Sequence, residues 1–328
     1  MKTVDQLVFE AAYSHLEQGN YGFLCTIVST VGASPRPLGS LLFLGNDGEV
    51  TGSLSGGCIE DDLLERLLGN EPTSHAPEII EYGVTPEENE RFGLPCGGRM
   101  QVMVECLMPG SQQQVDLLCL AGALAGRRGV RRIVDLEQGG WQIDDIDHCE
   151  TLKLSDSLLQ QDFGPRYQLL LVGANELARC IAELALAMDY RVLVCDPREE
   201  RLQQWHCLGA DTVCQMPDDA VREHATDPYS IVITLTHDPR IDDMALMEAL
   251  QSSTLFYVGA LGSQRTSDKR RQRLLQLELN ESQIARLHAP VGLPIGSKSA
   301  MEIAVAVMAE LTQCRAKAKR AAAERQSS

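Results

Sequence analysis

No apolar run in the 328-residue chain approaches the roughly 20 residues that a membrane-spanning helix needs, so no part of the sequence is expected to enter a bilayer. Basic residues are scarce, with 29 Lys and Arg against 46 Asp and Glu, a formal charge of −17. Nucleic-acid binders carry a basic face, so no nucleic-acid partner is expected. Eleven cysteines are present, but no CxxC pair, zinc-ribbon spacing or N-terminal signal peptide accompanies them. That argues against a disulfide scaffold and a structural zinc site, and places reduced thiols in the cytoplasm. No fixed-period repeat is found, and paired carboxylates, a nucleophile elbow or another self-contained catalytic constellation are missing, which argues against an enzyme. The length rules out one small module and suits two domains.

The periodicity predicts an α/β chain with an α+β first part and a parallel-sheet second part. Val4, Leu7, Val8, Ala11, Ala12 and Leu16 fall at helical spacing, and Gly19-Asn20 ends the pattern. Residues 23–29, 40–44 and 49–53 read as strands, the last two joined by an Asn46-Asp47-Gly48 turn. A helix is expected over 59–68 and a strand over 100–107, while 70–98 shows no clear period. Residues 111–165 read as one helix, a hairpin near Gly139-Gly140 and a polar stretch ending at Gly164-Pro165. The domain reading is therefore 1–110, a segment 111–165 packed with it, and 166–328. From Tyr167 onward strands (169–172, 191–195, 230–235, 255–258) alternate with helices starting at Glu176, Glu199 and Asp242, which predicts a parallel sheet with helices on its faces. A last helix spans 300 to about 323 and turns basic after Leu311, as suits its macrodipole.

Three glycine-rich loops mark the first part. Residues 32–39, GASPRPLG, hold Ser34 and a single charge, Arg36, between two prolines, which suits a bidentate contact with phosphate or carboxylate as well as an ordinary surface position. Residues 52–60, GSLSGGCIE, join a strand to a helix, so the amides around Gly56 and Gly57 are expected to point at an anion. Cys58 then falls at a helix N-terminus, where a thiol is activated, or is a small residue at a crowded turn. Cys96 lies in GLPCGG, residues 93–98, with Gly97 and Gly98, in a loop that is neither helix nor strand. Function is favoured for Cys96 over Cys58.

The second part opens with a buried strand, a Gly173-Ala174-Asn175 turn and a helix, the arrangement of a Rossmann-like nucleotide fold. Asn175 stands where the dinucleotide fingerprint has glycine; asparagine tolerates the left-handed region but adds a side chain. Asp196 ends the next strand, where an acidic group can bond a ribose hydroxyl. His237 follows a buried strand and either bonds phosphate or metal-bound oxygen or caps its own loop. Gly259, Gly262 and Ser263, with Arg265 close by, repeat the strand-then-glycine pattern, and Lys298 sits in a further shaped loop. A nucleotide ligand and a domain that only scaffolds both remain open.

Together with CDPRE, LTHDPRIDD, YVGALGSQRT and PVGLPIGSKSAMEIAVAVMAE, in that order, these motifs resemble the XdhC/CoxI family of molybdoenzyme maturation proteins from about residue 8 to residue 311. The resemblance implies an XdhC/CoxI-like domain followed by a Rossmann-like domain, usually as a homodimer. It implies a chaperone that binds and protects molybdenum cofactor, as molybdopterin or its cytosine dinucleotide form. Such a chaperone supports sulfuration by a cysteine desulfurase and inserts the cofactor into an apo molybdoenzyme of the xanthine dehydrogenase or aldehyde oxidase type. Thiolates are soft ligands or persulfide carriers, which on this reading makes Cys96, and less firmly Cys58, the molybdenum or persulfide contact. The competing reading is an NAD(P)-dependent oxidoreductase built on Gly173, Asp196 and His237.

Overall fold

The computed structural model describes residues 2–32, 36–68, 76–92, 98–147 and 149–326. The chain divides into two compact units, Lys2–Pro165 and the residues from Arg166 on.

The first unit opens with α1 (Val4–Glu17), capped by the Thr3 hydroxyl, which accepts the Gln6 amide at 2.9 Å. Next come β1 (Gly22–Val31), β2 (Leu41–Gly45), β3 (Val50–Gly52), α2 (Cys58–Leu67), β4 (Glu78–Tyr82), α3 (Pro86–Arg91), β5 (Arg99–Leu107) and α4 (Gln112–Ala125). A hairpin and a second pair of strands complete the unit: β6 (Gly129–Asp135), β7 (Trp141–Ile146), β8 (Lys153–Leu154) and β9 (Leu158–Phe163). Among the described residues these strands form two antiparallel sheets, ordered β3-β2-β1-β5-β4 and β7-β6-β9-β8.

Alternation along β1 decides what each face covers. Phe23, Cys25 and Ile27 pack with Ile59 and Leu63 of α2. Leu24 packs on the opposite face with Val8, Phe9, Ala12 and Leu16 of α1 and with Leu117, Leu120 and Leu124 of α4. The 70–98 stretch, which shows no period in the sequence, holds β4 and α3. The polar stretch before Gly164 becomes β8 and β9, with Leu159 and Phe163 buried on alternate positions.

The second unit runs β10 (Gln168–Val172), α5 (Glu176–Ala187), β11 (Arg191–Cys195), α6 (Glu199–Gln203), β12 (Asp211–Val213), α7 (Pro217–His224), β13 (Ser230–Thr234) and α8 (Pro239–Gln251). It ends with β14 (Tyr257–Ala260), α9 (Gln264–Gln276), α10 (Glu281–Ile284), β15 (Leu287–His288) and α11 (Ala300–Gln326). The six strands pair in parallel in the order β12-β11-β10-β13-β14-β15. This is the doubly wound order of a Rossmann domain, with its switch point between β10 and β13. Leu169, Leu171, Val192, Val194, Ile231 and Ile233 face α5 and α11, while Leu170, Val172, Leu193 and Val232 face α7 and α8. Burial on both faces explains why these strands read as unbroken apolar runs. Helix α8 starts three residues ahead of the expected Asp242, because Asp238 caps it and Pro239 occupies its first turn. Among the described residues no helix is long and apolar enough to cross a membrane.

Candidate functional site

Register places the strand ends that flank the glycine-rich segments of the first unit along one sheet edge. Val31 at the end of β1 lies opposite Arg99 at the start of β5, and Tyr82 at the end of β4 lies opposite Met100. Gly52 at the end of β3 pairs with Leu42, next to the start of β2. The chain therefore leaves the sheet after Val31, Gly52 and Tyr82, and returns to it at Leu41 and Arg99, on the same side. Gly32, at φ +79°, and Gly98 come so close that a Cβ on Gly32 would lie 3.4 Å from the Gly98 Cα. Ser34, Cys96 and Gly97 lie outside the described residues. Arg36 is exposed on the far part of its loop. The near end of that loop is fixed: the Gly39 amide donates to the Ile27 carbonyl at 2.8 Å, and the Gln161 side-chain amide donates to the Gly39 carbonyl at 2.7 Å.

The amides of the 52–60 loop do not face outward to an anion, as the sequence led us to expect. The chain fills its own cradle with Glu60. Its Oε1 accepts the Ser53 hydroxyl at 3.0 Å and the amides of Leu54, Ser55 and Gly56 at 2.8, 2.9 and 3.0 Å. Its Oε2 accepts the Gly57 amide at 3.0 Å and the Ser55 hydroxyl. Gly56 at φ +97° and Gly57 at φ +153° turn the successive amides inward, the geometry of an anion nest. Burial alone would raise the Glu60 pKa, but the hydrogen bonds from Ser55, Gly56 and Leu54 reverse this and hold it far below the usual carboxylate range. Cys58, the first residue of α2, remains exposed beside the filled nest.

Behind this edge runs a buried polar seam that sequence reasoning missed. Arg132, wholly buried, donates to Glu105 at 3.0 Å and to Gln161 at 2.9 Å and lies 4.7 Å from the Trp141 ring centre. Trp141 in turn donates to Glu105 at 2.6 Å. The seam ties both sheets of the unit to the Gly39 stem through Gln161. Its members are scattered over β5, β6, β7 and β9, so no local motif announces it.

In the second unit, the loops after β10, β11, β13 and β14 meet the carboxyl edge of the parallel sheet. They bring Gly173, Asn175, Asp196, His237, Gly262, Ser263 and Arg265 to that edge. Gly173, at φ +112°, is demanded by close approach, since a Cβ there would lie 2.7 Å from Thr236 Cγ2. Asn175 is extended at φ −139°, not left-handed. Its side chain caps α5 by accepting the Ala178 amide at 2.9 Å and donates to the Leu235 carbonyl at 2.8 Å across the switch point. Asp196 is wholly buried, accepting the Ala174 amide at 2.9 Å and both arms of the Arg198 fork at 2.8 Å. Burial opposes ionisation, yet Arg198 and the amides of Ala174 and Arg198 win and lower the Asp196 pKa. A ribose hydroxyl seeking Asp196 has to displace Arg198.

His237 is exposed at φ +62°, and no side-chain hydrogen bond of its own is present among the described residues. A non-glycine residue in that region is strained and recurs at ligand sites. Its neighbour Thr236 is held by Asp242, which accepts the Thr236 hydroxyl at 2.7 Å and Arg270 at 2.9 Å. Arg270 also donates to the Leu261 carbonyl at 3.0 Å, so one buried pair sets the loops after β13 and β14. Burial pushes the Asp242 carboxyl up against the pull of Thr236 and Arg270. Ser263 caps α9 by accepting the Thr266 amide at 3.2 Å, and Arg265 is exposed within the first turn of that helix. Gly259 lies within β14, where a Cβ would come within 2.7 Å of the Tyr257 ring and 2.9 Å of Val291. Its lack of a side chain serves packing.

Two family models match the chain. The XdhC and CoxI family model covers residues 15–83 and the XdhC Rossmann domain model residues 169–311, together more than half of the sequence. Among curated proteins, a probable xanthine dehydrogenase subunit from Bacillus subtilis is 27% identical over 92% of this chain and 95% of its own length. The "Molybdenum cofactor insertion chaperone PaoD" of Escherichia coli is 26% identical over 94% of this chain and 88% of its own. The crystal structure of a xanthine dehydrogenase from Bacillus halodurans matches with a TM-score of 0.70 at 22% identity, covering 97% of this chain and 96% of that one, and shares the fold. With both halves of its architecture matched in order, the chain belongs to the XdhC and CoxI family.

Proposed function

We propose that this protein is a carrier of molybdenum cofactor that delivers its cargo to an apo molybdoenzyme of the xanthine dehydrogenase or aldehyde oxidase type. The observation that carries the reading is that the strand ends flanking the GASPRPLG, GSLSGGCIE and GLPCGG segments share one edge of the first unit's sheet, with Gly32 close to Gly98. The E. coli relative named as a molybdenum cofactor insertion chaperone, aligned over nearly the whole chain, supports it.

The cargo has an anionic phosphate and soft dithiolene sulfurs. Arg36 meets the phosphate, while the amides of residues 54–57 and the Ser53 and Ser55 hydroxyls, already taken by Glu60, are left out of the contact. Cys96 is the soft contact or persulfide carrier, with Cys58 the second candidate. Sulfuration by a cysteine desulfurase takes place on the held cargo, and the working form is a homodimer without turnover of its own. The edge of the second unit, where an ordered Asp196–Arg198 fork and the strained His237 meet the switch point, accepts a nucleotide.

The strand order of the second unit also favours the alternative, an NAD(P)-dependent oxidoreductase. One titration separates the two readings: anaerobic binding of molybdenum cofactor to the wild-type protein, Cys96→Ala and Arg36→Ala, with NADH and NADPH run in parallel. Cofactor binding that weakens in both variants supports the carrier. Nicotinamide binding without cofactor binding overturns it in favour of the oxidoreductase.

A further inference from the structure

The Asn46-Asp47-Gly48 turn, away from the loop edge, closes over a histidine that neither candidate edge uses. His15, in the last turn of α1, is 3% exposed. Its ring is fixed on two sides: it meets Phe43 edge-on at 5.5 Å, and its Nε2 lies 3.2 Å from the Tyr21 carbonyl and 2.9 Å from Asn46 Oδ1. A carbonyl oxygen can only accept, so Nε2 carries the hydrogen. The neutral ring then has its lone pair on Nδ1.

That nitrogen stands close to negative charge. Nδ1 lies 4.0 Å from Asp47 Oδ2, beyond hydrogen-bond reach, and ligand atoms of His15, Asp47 and Glu49 all lie within 4.8 Å of one another. The turn is built to hold this arrangement. Asp47 Oδ1 accepts the Glu49 amide at 3.0 Å, and the Gly45 amide donates to the Glu49 carbonyl at 2.8 Å. Gly45 lets the turn close, because a Cβ there would come within 2.6 Å of Asp47 Oδ1 and 2.7 Å of His15 Cε1. A nitrogen lone pair close to two carboxylates is best balanced by a positive charge between them.

We infer that His15 Nδ1, Asp47 and Glu49 bind a divalent first-row cation. Two bonds of about 2.0–2.2 Å span the Nδ1–Asp47 gap, and one imidazole with two carboxylates is a donor set for Mn²⁺, Fe²⁺, Co²⁺ or Zn²⁺ rather than for a soft thiophilic ion. The carboxylates are exposed, so water completes the coordination. Bound there, the ion clips the end of α1 to the β2–β3 hairpin.

Mn²⁺ is the probe, because eleven cysteines compete for softer ions. Loss of the free Mn²⁺ electron paramagnetic resonance signal counts bound ion in the full-length protein, alongside Asp47→Asn, Glu49→Gln and His15→Gln. The last variant keeps an amide donor for the Tyr21 carbonyl. One Mn²⁺ per wild-type chain is expected, with affinity about tenfold or more weaker in each variant and a melting midpoint that rises with Mn²⁺ only in the wild type. The exposed Asp47→Asn and Glu49→Gln variants keep the metal-free midpoint, so a folding failure of His15→Gln leaves the test intact. Absence of Mn²⁺ binding, or equal binding by wild type, Asp47→Asn and Glu49→Gln, overturns the site and leaves a proton on Nδ1 as the balancing charge.

Discussion

The side-chain amide of Gln161 reaches the carbonyl of Gly39 at 2.7 Å, so a strand of the four-stranded sheet holds the stem of the Arg36 loop. The same side chain accepts a bond from buried Arg132 at 2.9 Å. Replacing it with methionine, Gln161→Met, fills the space but removes both bonds. A loss of about 2 kcal/mol in urea unfolding is expected from the unsatisfied partners. Faster amide hydrogen exchange over residues 38–40, beyond that explained by the global loss, would mark the stem as loosened. Unchanged exchange there would mean that Gln161 does not hold the loop.

Arg132 and Glu105 form the charged centre of that seam, 3.0 Å apart and buried. Arg132→Met strands the carboxylate of Glu105, whose pKa burial already raises. Removing one partner of a buried pair costs about 3–5 kcal/mol. The double variant Arg132→Met/Glu105→Gln should recover part of the loss in the same urea titration. A single variant as stable as wild type would remove the pair from any structural role.

Glu60 gives the chain a specific acid sensitivity. Its folded pKa is depressed, so its contribution is fully present above the unfolded value of about 4.3 and is lost as the pH falls toward the folded one. Glu60→Gln turns an amide group toward the donors of Leu54, Ser55 and Gly56, and a loss of about 2–3 kcal/mol at pH 7 follows from charge-assisted bonds of this kind. The gap between wild type and Glu60→Gln should narrow as the pH is taken from 5 to about 3. A gap that stays constant would contradict the linkage.

Gly173→Ala combines a backbone at φ +112° with a Cβ 2.7 Å from Thr236 Cγ2. Backbone strain alone costs about 1–3 kcal/mol. Thr236→Ser removes the clashing methyl and keeps the hydroxyl that bonds Asp242, so the double variant should regain the steric share and not the backbone share. Melting curves of the two single variants and the double variant decide it. Full recovery would show that the backbone conformation carries no strain.

Much of this architecture was legible because burial on both faces of a strand leaves an unbroken apolar signature, as in Leu169-Leu170-Leu171-Val172 and Ile231-Val232-Ile233. Elements whose buried face is polar or short left none. Helix α9 buries Ser267, Arg270 and Leu274, and two of those three are polar. Strand β4 alternates weakly because Ile79 is exposed on the edge of its sheet. In the candidate site, the glycine turns could be read but not what fills them. Glu60 reaches back over three to seven residues, and Glu302 likewise accepts the amides of Lys298 and Ser299 ahead of α11. The Asp196–Arg198 fork went unread, although the two residues stand only two apart in CDPRE. The seam around Arg132 is long-range and needed coordinates.

A loop whose donors are satisfied from within keeps one shape whether loaded or empty. Because Glu60 orders residues 53–57 when the chain folds, little conformational entropy remains to be lost when a ligand arrives and little is regained when it leaves. On the carrier function proposed above, such a rim is a fixed template, and the speed of hand-over is set by the ligand's own contacts rather than by refolding of its seat.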